Sequence, residues 1–162
     1  MNEGDLDALD RAILGALLDD ARLSQVELSE RIPLSATAIA RRIRSLEEKG
    51  VIEGYQARIS REALGLSITV IVHIGLKSQN EDLLKAFEEA VIRAPSVVSC
   101  HLMSGEDDYL VTVMARDLAD FERIHKEQLS RLPGVARIKS SFALRNVANK
   151  LLPASCLLPS RK

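Results

Sequence analysis

The sequence predicts an α+β protein in two parts, a three-helix head and a βαββαβ sheet domain. Three observations carry this reading. Apolar residues repeat at helical spacing up to residue 50. From residue 68 they alternate with period two, as in a half-buried strand. The later segments then follow in the order strand, helix, strand, strand, helix, strand. The divisions fall at 1–59 for the head, 60–66 for a hinge, 67–150 for the sheet domain and 151–162 for a tail.

In the head, Leu6, Leu9, Ile13 and Leu17 form the stripe of a first helix over about 6–19. Ser24 and Glu27 fit a capping box that opens a second, with Val26, Leu28 and Ile32 placed to face a core. Pro33 ends it, because proline lacks the amide and disfavours helix in the residue before it. Ser35 is a good N-cap for a third helix, whose buried stripe is Ile39, Ile43 and Leu46 and whose stop is Gly50. Thr37, Ala38, Arg41, Arg42 and Arg44 then lie largely off that stripe. Residues 51–59 have β character and a Gly54 break, which reads as a short strand or wing. The head is thus a winged helix-turn-helix. A helix with small polar residues early and arginines later suits the major groove of duplex DNA. The alternative is a helical hairpin with a solvated charged face.

In the second part, Ile68, Val70, Val72, Ile74 and Leu76 share one face of a strand. Asn80 caps a helix running to about Arg93, and Asp117 caps another through Leu132. Strands are expected at 97–104, 109–115 and 135–144, with a polar turn at Gly105, Glu106, Asp107 and Asp108. This order is the ferredoxin-like split βαβ arrangement. Both helices would cover one sheet face, leaving a bare face, apolar on every strand, that a second copy could cover.

Composition narrows the function classes. The chain has 162 residues, 46% hydrophobic and 28% charged, so one or two globular domains are expected. No apolar run reaches the roughly 18 residues of a membrane helix, so no membrane partner is expected. The acidic start lacks a secretory apolar segment, so a cytoplasmic, nucleoid-associated protein is expected. Two cysteines make neither a disulfide framework nor a metal set. Aromatics are 3%, against a single-strand binder built on stacking. No nucleophile with base and orienter, phosphate loop or metal spacing is present, so neither enzyme nor cofactor is expected. Cys100 and His101 are neighbours on a strand and face opposite ways, which prevents a thiol–imidazole pair.

Net charge is −1, and the first 60 residues hold eight basic against eleven acidic residues. Positive charge is therefore local to the third helix. A single head should bind duplex weakly, since phosphate contacts dominate affinity, and should need a partner copy.

In order, the pieces Leu9-Asp10-Arg11-Ala12-Ile13-Leu14, Val26-Glu27-Leu28-Ser29-Glu30-Arg31, Arg41-Arg42-Ile43-Arg44-Ser45-Leu46-Glu47 with Gly50-Val51-Ile52, Cys100-His101-Leu102-Met103-Ser104-Gly105-Glu106-Asp107-Asp108-Tyr109, and Leu132-Pro133-Gly134-Val135 carry a resemblance. The chain resembles the leucine-responsive regulator/AsnC family of bacterial and archaeal transcription factors over about residues 6–150. The resemblance implies a DNA-reading head and a sheet domain that dimerises, assembles further, often to octamers, and binds an amino acid. It implies base reading by Thr37, Ala38, Arg41 and Arg42, with Ser35 and Arg44 on phosphate or at the edge. It places an effector pocket between dimers, lined or bordered by Leu102, Met103, Ser104, Gly105, Asp108, Leu118, Ser141, Phe142 and Ala143. Independently of the family, a Gly-centred turn offers amides to a carboxylate, and its acids suit an ammonium; an ordinary hairpin turn has the same composition. Where the family's helix-turn-helix carries glycine, this chain has Pro33, so the turn must use another conformation.

The implied function is a sequence-specific, DNA-binding transcriptional regulator whose DNA binding or assembly responds to a small amino acid. Two alternatives stand beside it: a nucleoid-type DNA-packaging protein of the same build, and an amino-acid sensor acting on a protein partner.

Overall fold

Two compact units make up the computed structural model, which describes residues 6–150 and 152–157. One unit comprises Met1–Arg58 and Ala148–Lys162, the other Ile59–Val147.

The first unit holds α1 (Ala8–Asp19), α2 (Gln25–Arg31) and α3 (Ala36–Glu48). Asp7 and Asp10 form the capping box of α1, and Ser24 and Glu27 that of α2. Each box satisfies amides that the helix itself leaves unpaired. Ser35 caps α3 by accepting a hydrogen bond from the Ala38 amide at 3.2 Å. Gly50 ends it at φ +68°, a left-handed conformation that glycine adopts without a Cβ penalty. Ile13, Leu28, Ile32, Ile39 and Leu46 form the core. Val26 is exposed instead, because it lies on the helix side opposite Leu28 and Ile32.

The turn before α3 is built without a left-handed residue, glycine being the only residue type with positive φ among the described residues. Ile32 is extended at φ −119°, as a residue before proline prefers, and closes the turn by accepting from the Leu34 amide at 2.6 Å.

The expected wing strand is absent. Residues 51–59 form neither helix nor ladder, and the described strands all belong to one sheet in the other unit. A strand needs a hydrogen-bonding neighbour, and the first unit supplies none to this segment. Tyr55 is nonetheless anchored, its hydroxyl donating to Glu47 Oε1 at 2.8 Å. A 3₁₀ turn at Ala154–Leu157 returns to α1, where Arg11 donates to the Cys156 carbonyl at 2.9 Å.

The second unit contains β1 (Ile68–Leu76), α4 (Glu81–Ile92), β2 (Val97–Leu102), β3 (Tyr109–Ala115), α5 (Leu118–Glu127) and β4 (Val135–Phe142). The strands form one antiparallel sheet in the order β2-β3-β1-β4, the ferredoxin-like arrangement. Asn80 and Asp117 cap α4 and α5 as the sequence predicts. Helix α5 stops at Glu127 rather than Leu132, and a 3₁₀ turn at Leu129–Arg131 brings Leu129 and Leu132 down onto the core. Strands β2 and β4 each end two residues earlier than expected.

Val70, Val72, Ile74, Tyr109, Val111, Val113 and Ala115 form the sheet side of the core, packed against Phe87 and Val91 of α4 and Phe121 and Ile124 of α5. The Phe87 and Tyr109 rings meet at 4.3 Å. Gly134, at φ +72°, lets the chain pass Leu83; a Cβ there would stand 2.6 Å from its methyl carbons.

The opposite face differs from the uniformly apolar surface expected. The register places Ser99, Thr112, Ile71 and Ser141 in one row across it, and His101, Leu110, His73 and Lys139 in the next. Ile71, Leu110 and Met114 of the two middle strands make an apolar centre. Alternation within a strand does not make its outer side apolar: β2 presents Ser99 and His101 here, and β4 presents Lys139 and Ser141.

Candidate nucleic-acid helix and ligand turn

Helix α3 exposes Thr37, Ala40, Arg41 and Arg44. Spacings of three and four put these four on one continuous stripe. Ser35 is exposed at its start, with its oxygen accepting in the cap. Ala38 is half-buried beside the stripe. Ala40 also belongs to the stripe, though a small apolar side chain carries no nucleic-acid signal in the sequence.

Arg42 departs from the expectation. It is three residues after buried Ile39 and four before buried Leu46, which turns it toward α1. Its guanidinium Nη1 donates to Asp7 Oδ2 at 2.8 Å and to Asp10 Oδ1 at 2.7 Å. A base-reading role conflicts with this placement, because the side chain is turned toward α1 and its Nη1 is engaged by two carboxylates there. The α1 cap amide of Asp10, with the Arg42 guanidinium, holds Asp7 below the usual aspartate range.

Acid sensitivity follows. Depressed carboxylates stabilise the fold above their ordinary value of 3.8, and that contribution is lost as pH falls through their folded values. The expected result in urea melts is a midpoint insensitive to these groups above about pH 5 and falling below about pH 4. A midpoint that rises on acidification contradicts it.

The turn between β2 and β3, residues 103–108, is fastened on both sides of the sheet. Asp107 accepts from Arg137 at 2.8 Å and lies 3.1 Å from His73 Nδ1 and 3.9 Å from Lys139. Burial pushes its carboxyl up, but the Arg137 hydrogen bond and the charges of Lys139, Arg137 and His73 outweigh it and hold the group low. Asp108 points the other way and is 7% exposed. Its Oδ2 accepts from the Leu76 amide at 2.6 Å and its Oδ1 from Gln79 Nε2 at 2.5 Å. Both Asp108 oxygens are therefore committed to fastening the turn. Replacing Asp108 by Ala leaves those two donors without this partner. The expected loss is about 1–3 kcal/mol of stability, read by urea melts.

The sheet register separates the expected pocket residues into two groups. Leu102 is level with Tyr109, Ile74 and Ile138, whereas Phe142 is level with Val70, Val113 and Val97. Four residues along and three strands across put these corners roughly 20 Å apart. Leu102, Met103, Ser104 and Gly105 are exposed at one corner. At the other, exposed Leu118 lies one turn before Phe121, whose ring meets exposed Phe142 edge-on at 5.2 Å. Ser141 and Ala143 flank Phe142 and are exposed. One chain does not bring the two groups together.

A winged helix-turn-helix DNA-binding family matches residues 6–53, and the Lrp/AsnC ligand binding domain matches residues 69–151. The chain belongs to the Lrp/AsnC family. As a member it is a DNA-binding transcriptional regulator and not an enzyme. The Bkd operon transcriptional regulator of Pseudomonas aeruginosa is 43% identical over 149 residues, which are 92% of this chain and 97% of that one. Two Lrp/AsnC-like solved structures are complexes with L-methionine. A transcriptional regulator from Neisseria meningitidis has a TM-score of 0.88 at 33% identity, covering 94% of this chain and 99% of that one. The feast or famine regulatory protein from M. tuberculosis has a TM-score of 0.79 at 29% identity, covering 92% and 99%. The Lrp/AsnC assignment agrees with α3 as the exposed second helix of a helix-turn-helix. Among the described residues no helix is long and apolar enough to cross a membrane.

Proposed function

We propose that this regulator reads a specific operator through α3, and that its DNA binding or assembly responds to a small amino acid bound at the turn 103–108. The single stripe of Thr37, Ala40, Arg41 and Arg44 is the observation that carries the reading. Thr37, Arg41 and Ala38 contact base edges, and Ser35 and Arg44 contact phosphate at the edge. The low charge of the head supports action in pairs, with the open sheet face as the contact between two copies. The apolar centre of Ile71, Leu110 and Met114 is suited to such a contact, and its polar surround fixes register.

Amino-acid binding is supported by the two methionine-bound relatives and by the exposed Leu102 and Met103 beside Gly105. The distant corner with Leu118, Ser141, Phe142 and Ala143 completes the pocket from another copy, which favours assembly of dimers toward an octamer. A nucleoid location follows from DNA binding.

The test combines two measurements. A thermal-shift screen of the twenty amino acids is followed by native mass measurement with and without the hit. Binding is then compared between a duplex selected from a random pool and an unselected one. The reading requires a stabilising amino acid, an assembly larger than one chain, and preference for the selected duplex. Equal affinity for both duplexes supports a packaging protein instead, and no retardation of either at low salt supports a sensor acting on a protein.

A further inference from the structure

We propose that Arg42 is a positioning residue for DNA reading: held by Asp7 and Asp10, it fixes α3 on α1 and makes no contact with DNA. The inference rests on α3 being the recognition helix. All four oxygens of the two acids take part. Asp7 Oδ1 accepts from the Asp10 amide at 2.8 Å and Asp10 Oδ2 from the Asp7 amide at 3.3 Å, which closes the capping box. The remaining oxygens, Asp7 Oδ2 and Asp10 Oδ1, both accept from Arg42 Nη1. The cap of α1 is thereby a rigid socket for one side chain of α3.

The Asp10 side of the site is shielded, whereas the Asp7 side chain is 51% exposed. Side-chain exposure is 26% for Arg42 and 14% for Asp10. Such partial burial makes the charge-assisted bonds stronger than a surface pair and their loss more costly. A phosphate contact through Arg42 would place a polyanion beside Asp7 and Asp10, which already hold its Nη1. The packed stripe of Ile39 and Leu46 seats α3 on the core, but the hydrophobic driving force itself is non-directional. The Arg42 bonds to Asp7 and Asp10 add a directional constraint between α3 and α1, which sharpens the orientation of Thr37, Arg41 and Arg44.

The experiment measures affinity for selected and unselected duplex at several salt concentrations, with active fractions set by titration at saturating DNA. The variants are Arg42→Ala, Asp10→Asn, Asp7→Asn and the Asp10→Asn/Arg42→Ala double. Positioning predicts that Arg42→Ala and Asp10→Asn both weaken selected-duplex binding, by roughly tenfold, the scale of one lost base contact. Their effects are then not additive in the double variant. Preference for the selected duplex falls while the salt slope of Arg42→Ala stays that of the parent. A purely structural role lowers the active fraction and leaves the affinity of the folded protein unchanged, which overturns the inference. So does tighter binding by both Asp10→Asn and Asp7→Asn, or a salt slope for Arg42→Ala reduced by about one, either of which marks a direct phosphate contact. Arg41→Ala separates the two levels: if it leaves affinity unchanged, the recognition-helix reading has failed, and if it weakens binding while the aspartate variants do not, only positioning has failed.

Discussion

Replacing Arg41 and Arg44 together by alanine is expected to weaken binding to the selected duplex by roughly 30-fold or more. A bidentate arginine–guanine pair discriminates by about 1–3 kcal/mol, and each phosphate contact removed takes about 0.9 from the salt slope. Both side chains are exposed on α3, and among the described residues neither forms an ion pair. Their removal therefore leaves the helical core of Ile13, Leu28, Ile39 and Leu46 intact. Circular dichroism should match the parent, and the assembly state should be unchanged. Retained affinity with an unchanged salt slope would show that duplex is gripped elsewhere.

The second large effect lies in the sheet domain. Phe87→Ala is expected to cost about 3–5 kcal/mol, the usual range for emptying a fully buried phenylalanine site. Phe87 is 0% exposed and stacks on Tyr109, whose hydroxyl donates to Glu88 Oε1 at 2.8 Å. Burial first, and then Glu88, pushes the Tyr109 phenol far above its ordinary range, so it remains a donor. Tyr109 also follows Asp108 directly, so a loosened Tyr109 loosens the turn at 103–108. At about 4–8 °C per kcal/mol for a unit of this size, the melting temperature of the sheet domain should fall by well over 10 °C. A fall of only a few degrees would mean that neighbouring side chains refill the space.

Much of this was legible in the chain. Capping residues at Ser24, Ser35, Asn80 and Asp117 signal helix starts through chemistry that needs no distant partner. Alternation in β1 signals its buried face in the same local way. Arg42 was not legible as a buried-side residue because the stripe was read from apolar types alone. Its position by helical period was sufficient, and only Asp7 and Asp10, more than 30 residues away, make a charge acceptable there. The fastening role of Asp108 was not legible for a related reason. A carboxylate in a Gly-containing turn suits a ligand, and its true acceptor role depends on Leu76 and Gln79, which only the β1–β3 register brings near. No strand forms over residues 51–59 because strand propensity has no consequence without a pairing edge.

The diagonal placement of Leu102 and Phe142 on one sheet has a consequence for symmetry. On the proposed reading, a cavity closed by unlike corners has two symmetries open to it. About a two-fold axis the contact is reciprocal, both corners of each copy are used, and growth stops at the pair; head to tail, each copy passes its other corner to the next, and the series ends as a ring or runs on as a filament. A small molecule lodged at such a seam would bias that choice without any rearrangement inside the chain itself.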